Sequence, residues 1–518
     1  LFQRTILALA AGVWLGTTFL SGFNPLLGLW LFLREYVVQQ ALLDSFRLEL
    51  LGFVIGLVAL IGIISRGGGV QGMLEVITKL VHSAKSSQMA TYLMGLTIFF
   101  DDYANTILVG NSMRPLTDRF RVSREKLAYI VDSTAAPVAG ISILSTWVAY
   151  EVSLFAPQLL EVGIIENPYL VFAQTIPYRF YAIFTLLFIL IGILSGREFG
   201  PMLAAEKRAR SLGHLSHPDA RPMVSDTMTR VQPKENIPHR WWNGVLPLVT
   251  VIVVTLCMMW QSGNASLDAP YPLSAVLSLT ALRDIIANAN STQAIAGGAW
   301  SGFALAAFLM LTQRNLTTTE VLGASFSSTR ALSFAIVILI LAWCIGGVCR
   351  DMGTAYYLVA LFKQSLSPNL YPIVLFLVSC LVSFSTGSSW STMAIILPNA
   401  VLLAHLLGAD SVIGPYGLTI VSIGAVLEGS IFGDHCSPLS DTTILSSVSS
   451  ASDHIHHVRT QIPYAVTTML VAILAGYLPA TRGVSPWICI ACGVTALFLV
   501  LRFAGKNPER EVEADQRT

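Results

Sequence analysis

Four short stretches of this chain set carboxylates and hydroxyls inside strongly apolar sequence. An aspartate at the centre of a membrane helix costs about 2.5–3.5 kcal/mol on insertion scales, so each acid needs a reason to be there. In Ile98–Thr106, helical spacing pairs Asp101 with Asn105 and Asp102 with Thr106. Hard oxygen ligands would converge there, as a small cation requires. The plainer reading is a solvated loop between spans. The second stretch is Asp132-Ser133-Thr134, followed by Pro137. Proline kinks a helix and frees carbonyls upstream, which with a carboxylate and two hydroxyls make a sodium ligand set; an ordinary kink is the alternative. The third, Ser385–Thr392, contains Thr386, Ser388, Ser389 and Thr392 and suits the tip of a re-entrant hairpin, or else close helix packing. The fourth gathers Glu428, Asp434, Ser437, Pro438, Asp441, Thr442 and Thr443. An acid out of water prefers its protonated form and a bound cation favours the ionised one, so a single group can exchange H⁺ for Na⁺. Asp101, Asp102, Asp132 and Asp434 are the exchange acids expected here, and Asp101, Asn105, Asp132 and Asp434 the expected sodium ligands. The sequence does not rank them.

The elements holding these residues must be helices in a bilayer. The 518 residues are 54% hydrophobic and 12% charged, with a mean hydropathy of +0.66. Apolar stretches recur at 5 to 30, 49 to 65, 89 to 111, 127 to 150, 178 to 196, 242 to 262, 293 to 312, 331 to 349, 371 to 405, 415 to 432, 461 to 479 and 486 to 503. Lipid offers backbone groups no partners, which leaves helices, since no barrel-like alternation is present. Lys and Arg cluster at 114 to 126, 197 to 240 and beyond Arg502, and these regions belong inside. The connections from Glu151 to about Pro177 and from Gly263 to Thr292 belong outside. The opening at Leu1 reads as a truncated N-terminus, not a signal peptide. Seven cysteines, mostly within spans, argue against a disulfide framework.

An internal repeat organises the chain. Ile61-Gly62-Ile63-Ile64-Ser65-Arg66 with Gly69 returns as Ile345-Gly346-Gly347-Val348-Cys349-Arg350 with Gly353. Each copy leads to a polar break, Asp101–Thr106 or Ser385–Thr392, and then to a polar stretch with proline, Asp132–Pro137 or Asp434–Pro438. The basic loops orient the two copies oppositely. Inverted repeats with broken helices are the architecture of many secondary transporters, whose sites lie near the midplane. The expected domains are a first repeat at 1–196, a cytoplasmic linker at 197–241, an inverted second repeat at 242–505 and a cytoplasmic tail at 506–518.

The strings Phe99–Thr106, Met113–Asp118, Arg124–Tyr129 with Asp132–Pro137, and Gly433–Thr443 resemble the NhaC-type Na⁺/H⁺ antiporter family of bacteria. The similarity runs from about residue 10 to 500 apart from the linker. It implies an all-α polytopic fold of two inverted-topology repeats with re-entrant hairpins, an elevator-like division into a scaffold and a mobile transport domain, often in a homodimer, in the cytoplasmic (inner) membrane. It further implies that one N-terminal helix is missing. Many relatives carry a lysine in the stretch where His435 and Cys436 stand, so a fixed positive charge is absent and coupling stoichiometry is not carried over.

The expected function is Na⁺/H⁺ antiport with no cofactor, Na⁺ and H⁺ being the transported ions. The alternative is a Na⁺- or H⁺-coupled carrier of a small organic acid or amino acid, with Arg66, Arg350 or half-helix N-termini holding the anion. Broken inverted repeats argue for alternating access over a channel. An enzyme is disfavoured because no nucleophile–base set or H-E-x-x-H spacing occurs, and ATP-driven transport because no Walker motif does. Nothing suggests nucleic acid as a partner. Asp453-His454-Ile455-His456-His457 is expected to be a solvated cytoplasmic run and not a metal cluster.

Overall fold

A computed structural model describes residues 2–79, 81–221, 233–272, 274, 275, 278–331, 333–354, 357 and 367–517. These are almost entirely helical; the one strand-like feature among them is an antiparallel bridge between Glu198 and Lys506. In chain order come α1 (Phe2–Leu20), α2 (Pro25–Leu31) continuing as a π-helix (Phe32–Leu42), α3 (Ser45–Arg66), α4 (Gly69–Thr78), α5 (Ala84–Thr97), α6 (Asp102–Arg119), α7 (Arg124–Ser133), α8 (Ala136–Ile141), α9 (Thr146–Glu161), α10 (Pro168–Thr175) and α11 (Phe180–Ser195). α12 (Gly200–Leu212) opens the linker, of which residues 222–232 lie outside the described residues. Then follow α13 (Trp242–Ala265), α14 (Leu279–Asn288), α15 (Ser291–Thr312), α16 (Thr318–Ala331), α17 (Ser333–Asp351), α18 (Tyr371–Thr386), α19 (Ser389–Leu407), α20 (Gly414–Cys436), α21 (Asp441–Ser449), α22 (His454–Val471), α23 (Pro486–Phe503) and α24 (Pro508–Arg517).

Among the described residues eight helices are long and apolar enough to cross a membrane, or eleven if three bent pairs count as single spans. On α13, Leu246, Val249, Val253 and Leu256 stay exposed at helical spacing, as hydrocarbon-facing side chains would. Two expectations need correction. The stretch 5 to 30 is no single span, because the chain reverses after Leu20 and the two helices meet at 114°. The outer connection does not begin at Glu151: α9 runs on to Glu161, and Glu151 is fully buried within it.

The repeat is inverted. Arg66 ends α3 beside the linker, where its carbonyl accepts from Lys234 N at 2.9 Å. Its counterpart Arg350, near the end of α17, lines a cavity with Arg47 at the start of α3. Equivalent helices therefore run antiparallel, and the two arginines stand about 28 Å apart along α3, at 1.5 Å per residue. The helix pairs α5–α6 and α18–α19 form the two hairpins, and each tip docks on the break of the following helix. Thr146 N donates to Phe100 O (3.0 Å) in one half, and Ser437 Oγ to Phe384 O (2.7 Å) in the other. The helix beyond each break then packs on the hairpin of the opposite half, α9 on α19 and α21 on α6, the exchange expected of a two-fold relation.

One correspondence is shifted. The counterpart of the break at Ser437–Ser440 is not Asp132–Pro137 but Ser142–Ser145, because Ser145 and Ser440 are the matching caps of α9 and α21. Proline marked the wrong position, since the interruption between α7 and α8 is an additional one.

The basic regions share one face: Arg124 N donates to Leu215 O (3.0 Å), Glu198 N to Lys506 O (2.9 Å), and Arg210 pairs with Glu509 at 2.7 Å. Small residues permit close helix contact deep inside. A Cβ at Gly433 on α20 would press on the Cys380 carbonyl and Ser383 side chain of α18. Gly433→Val is expected to separate these helices and destabilise the protein by about 1–3 kcal/mol, read as a lower unfolding temperature in detergent; an unchanged temperature would mean the helices do not touch there.

Candidate functional site

A helix broken inside a bilayer leaves backbone N–H groups without partners, and side-chain caps supply them. Asp101 accepts from Ala104 N at 2.8 Å and so starts α6. Ser388 does the same for α19 through Ser391 N (3.3 Å), Ser145 for α9 through Val148 N (3.2 Å) and Ser440 for α21 through Thr443 N (3.2 Å). The hydroxyl-rich and acidic stretches are thus the devices that let four helices start where they do.

The caps bring acids of both halves together. Asp101, Asp102 and Asp434 are buried, so the solvated-loop reading of the first stretch fails, and Asp441 is half-buried. Asp101 also accepts from Thr146 Oγ1 at 3.1 Å. Asp434 Oδ2 accepts from Ser389 (3.1 Å) and Thr442 (3.4 Å). Tyr103 donates to Asp441, linking hairpin one to the second half. Asp102 lies within electrostatic reach of Asp101, Asp441 and Asp434. Among the described residues no Lys or Arg pairs with any of the four. Asn105 donates to the carbonyls of Gly95 (2.7 Å), Ile98 (3.0 Å) and Thr134 (3.0 Å). The carbonyl freed by the break between α7 and α8 is therefore taken up by an amide. Asp102 Oδ1, Asn105 Oδ1 and Asp434 Oδ1 are buried and have no hydrogen-bond partner among the described residues.

Asp132 differs, because both its oxygens are occupied. Oδ2 accepts from Gln461 Nε2 (2.6 Å) and Thr443 (3.1 Å), and Oδ1 from Ser446 (3.1 Å). His435 and His457 approach Oδ2 at 4.0 and 3.9 Å. The neighbouring Ser133 Oγ is 2.7 Å from His435 Nε2, and Tyr181 holds the other ring nitrogen at 2.7 Å. The 453–457 run is not a solvated loop: Asp453 caps α22 through His456 N (3.0 Å), and His457 is fully buried in its first turn. No group of three or more metal-ligating side chains forms among the described residues.

Several residues singled out by sequence lie elsewhere or are otherwise engaged. The hydroxyls of Thr106, Thr134, Thr386 and Thr392 donate back to carbonyls of their own helices at 2.8–2.9 Å. Arg66 and Arg350 stand at opposite ends of α3 and hold no common ligand. Gln461 and Tyr181 escaped the sequence reading, and His457 was expected to be solvated; the i, i+4 spacing of His457 and Gln461, ahead of an apolar helix, was the available signal.

A model of the Na⁺/H⁺ antiporter family matches residues 139–478. The chain belongs to the Na⁺/H⁺ antiporter family. An uncharacterized protein of Haemophilus influenzae is 30% identical over 92% of this chain and 87% of its own length. Partial matches include the Malate-2H(+)/Na(+)-lactate antiporter of Bacillus subtilis, 31% identical over 27% of this chain and 28% of that one. Another is the Na(+)/H(+) antiporter NhaC of Alkalihalophilus pseudofirmus, 31% identical over 28% and 31%. The expected NhaC-type resemblance is borne out. The fold is similar to that of the Alcanivorax borkumensis YdaH transporter, with a TM-score of 0.52 at 14% identity over 91% of this chain and 90% of that one.

In this antiporter Glu428 lies apart from the aspartates. It shares Arg179 with Glu151, all three being fully buried. Arg179 Nη1 is 3.4 Å from Glu428, Ala182 N donates to Glu428 at 2.5 Å and Arg179 Nη2 donates to Gly140 O at 3.1 Å. This triad joins α8, α9, α11 and α20. Removing the guanidinium would strand two carboxylates, so Arg179→Leu is expected to cost about 3–5 kcal/mol, seen as a fall in unfolding temperature that Glu151→Gln with Glu428→Gln partly reverses. No fall would mean the acids are already neutral.

Proposed function

We propose that this chain exchanges Na⁺ for H⁺ across the cytoplasmic membrane of a bacterium. The observation that carries the reading is the set of three buried oxygens without partners, on Asp102, Asn105 and Asp434, contributed by both halves. Asp101, Asp102, Asp434 and Asp441 cannot all ionise together in a dry interior, because like charges at short range are not screened there. Either protons or a cation must compensate them. Sodium takes oxygen ligands, and Asp102 and Asn105 share one face of α6 at i, i+3. Asp132, whose oxygens already have donors, is assigned a proton in transit and no share of the metal; its charge acts on Asp434, one of the acids for which proton and sodium compete. Competition between the two guests for one charge is what makes the transport an exchange.

Alternating access follows from the construction. Each hairpin tip rests on a break in another helix, so tip and break can separate at the cost of the bond between them while the side-chain caps of all four helices stay in place. In sealed vesicles holding a pH gradient, added Na⁺ is expected to dissipate the gradient. Asp102→Asn, Asp132→Asn and Asp434→Asn should each abolish the response; full exchange in all three would remove the assignment.

A second reading, exchange of an organic acid, draws on a cavity of about 760 Å³ lined by Arg47, Arg350, Gln39, Gln40 and Asn167 and on the malate–lactate relative. Sodium flux that requires an added dicarboxylate or hydroxy acid, and is lost in Arg350→Gln, would favour it over Na⁺/H⁺ exchange.

A further inference from the structure

The geometry points to a proton-holding relay, His454–Ser447–His457, that delivers protons from the linker face to Asp132. It rests on the Na⁺/H⁺ reading and adds residues to it. The argument is a count of donors. Gln461 must aim its Nε2 at the His435 carbonyl, which can only accept. Its Oε1 therefore faces His457 Nε2 at 2.7 Å, and that nitrogen must carry hydrogen. His454 Nε2 faces the Pro438 carbonyl at 2.8 Å and must carry hydrogen as well. In neutral rings both Nδ1 atoms are then acceptors, yet both address Ser447 Oγ, at 3.0 Å from His454 and 2.8 Å from His457. One hydroxyl hydrogen cannot serve two acceptors. Its alternative partner, Thr443 O at 2.8 Å, deepens the shortage.

One added proton resolves the conflict. With His454 as the imidazolium, its Nδ1–H donates to Ser447, whose hydroxyl donates to His457. His454 is half-buried, whereas His457 is sealed from solvent, so the proton rests on the outer ring. Transfer inward balances simply: His454 gives its Nδ1 proton to Ser447 Oγ as Ser447 gives its own to His457 Nδ1. His457 is then the imidazolium, its Nε2–H held by Gln461 Oε1 at 2.7 Å and 3.9 Å from Asp132 Oδ2; passing that proton to Asp132 requires the ring to leave Gln461 and close the gap. The charged and titratable groups facing the array are Asp132 on α7, His435 on α20, and Asp453 and His456 at the start of α22, while Arg124 donates to Ala451 O (3.2 Å) nearby. The mouth lies against the linker, where His217 stacks on His456 at 4.4 Å and Arg221 N donates to Asp453 at 2.9 Å.

Pro438 belongs to the break before α21. The outer ring of the relay is thus hydrogen-bonded to the loop that meets the second hairpin tip.

The test compares His454→Gln, His457→Gln, Ser447→Ala and Ser447→Thr in proteoliposomes, measuring Na⁺-driven proton flux and, separately, exchange of radiolabelled sodium for unlabelled sodium. The first three are expected to slow proton flux by roughly tenfold or more, with sodium–sodium exchange within about twofold of wild type, and Ser447→Thr should retain both. Proton flux preserved in the first three, or both fluxes lost together, overturns the relay. Nitrogen NMR of histidine-labelled wild-type protein near neutral pH gives a readout independent of transport. Of the nine histidines, one imidazolium signal should be lost in Ser447→Ala; neutral rings at both His454 and His457 overturn the proposal. Wild type without any sodium–proton coupling but with that imidazolium would sink the antiport reading and leave the proton-holding array in place.

Discussion

Everything in this structure follows from the rule that backbone polar groups inside hydrocarbon must find partners. A transporter needs interrupted helices to bring polar groups to an ion, and every interruption strands amides. Here the interruptions begin with residues whose side chains serve those amides: Asp101, Ser145, Ser388 and Ser440. The same chemistry that ends a membrane helix safely also delivers oxygen atoms to its interior. Site and fold are therefore one solution to one constraint, which is why Asp101 could not be removed without also uncapping α6.

Burial divides the charges into two kinds. Glu151 and Glu428 are tied to Arg179, and Lys126 to Glu198 at 2.7 Å, so these fasten helices to one another. Asp101, Asp102 and Asp434 have hydroxyls, amides and each other instead of a fixed cation. A fixed counter-ion makes a strut, and its absence leaves a vacancy in charge that a mobile ion can fill. Asp132 stands between these cases, saturated by donors and flanked by histidines.

Much of the fold was legible because its signals are local. Hydropathy marks spans, polar breaks mark hairpin tips, and the Arg66 and Arg350 motifs mark the repeat. Proline aligns the later breaks wrongly, since the cap serine carries the correspondence and the proline of the first half belongs to an extra interruption. Glu428 read like the other acids, because its partners Arg179 and Glu151 are distant in sequence. Glu151 itself read as the edge of an outer loop, since a lone glutamate looks the same whether solvated or paired. The histidines read as solvated for a related reason: in a polar run at a helix start, only the i, i+4 spacing of His457 and Gln461 hints that the last member turns inward onto Asp132.

The central claim is that sodium and protons compensate the same buried charge. Purified protein in weakly buffered detergent solution, mixed with increasing sodium while a pH indicator is followed, tests it most directly. The account predicts saturable proton release on sodium binding, absent when Asp102→Asn and Asp434→Asn are combined. Sodium binding, seen by radiolabel, with no proton released would contradict it.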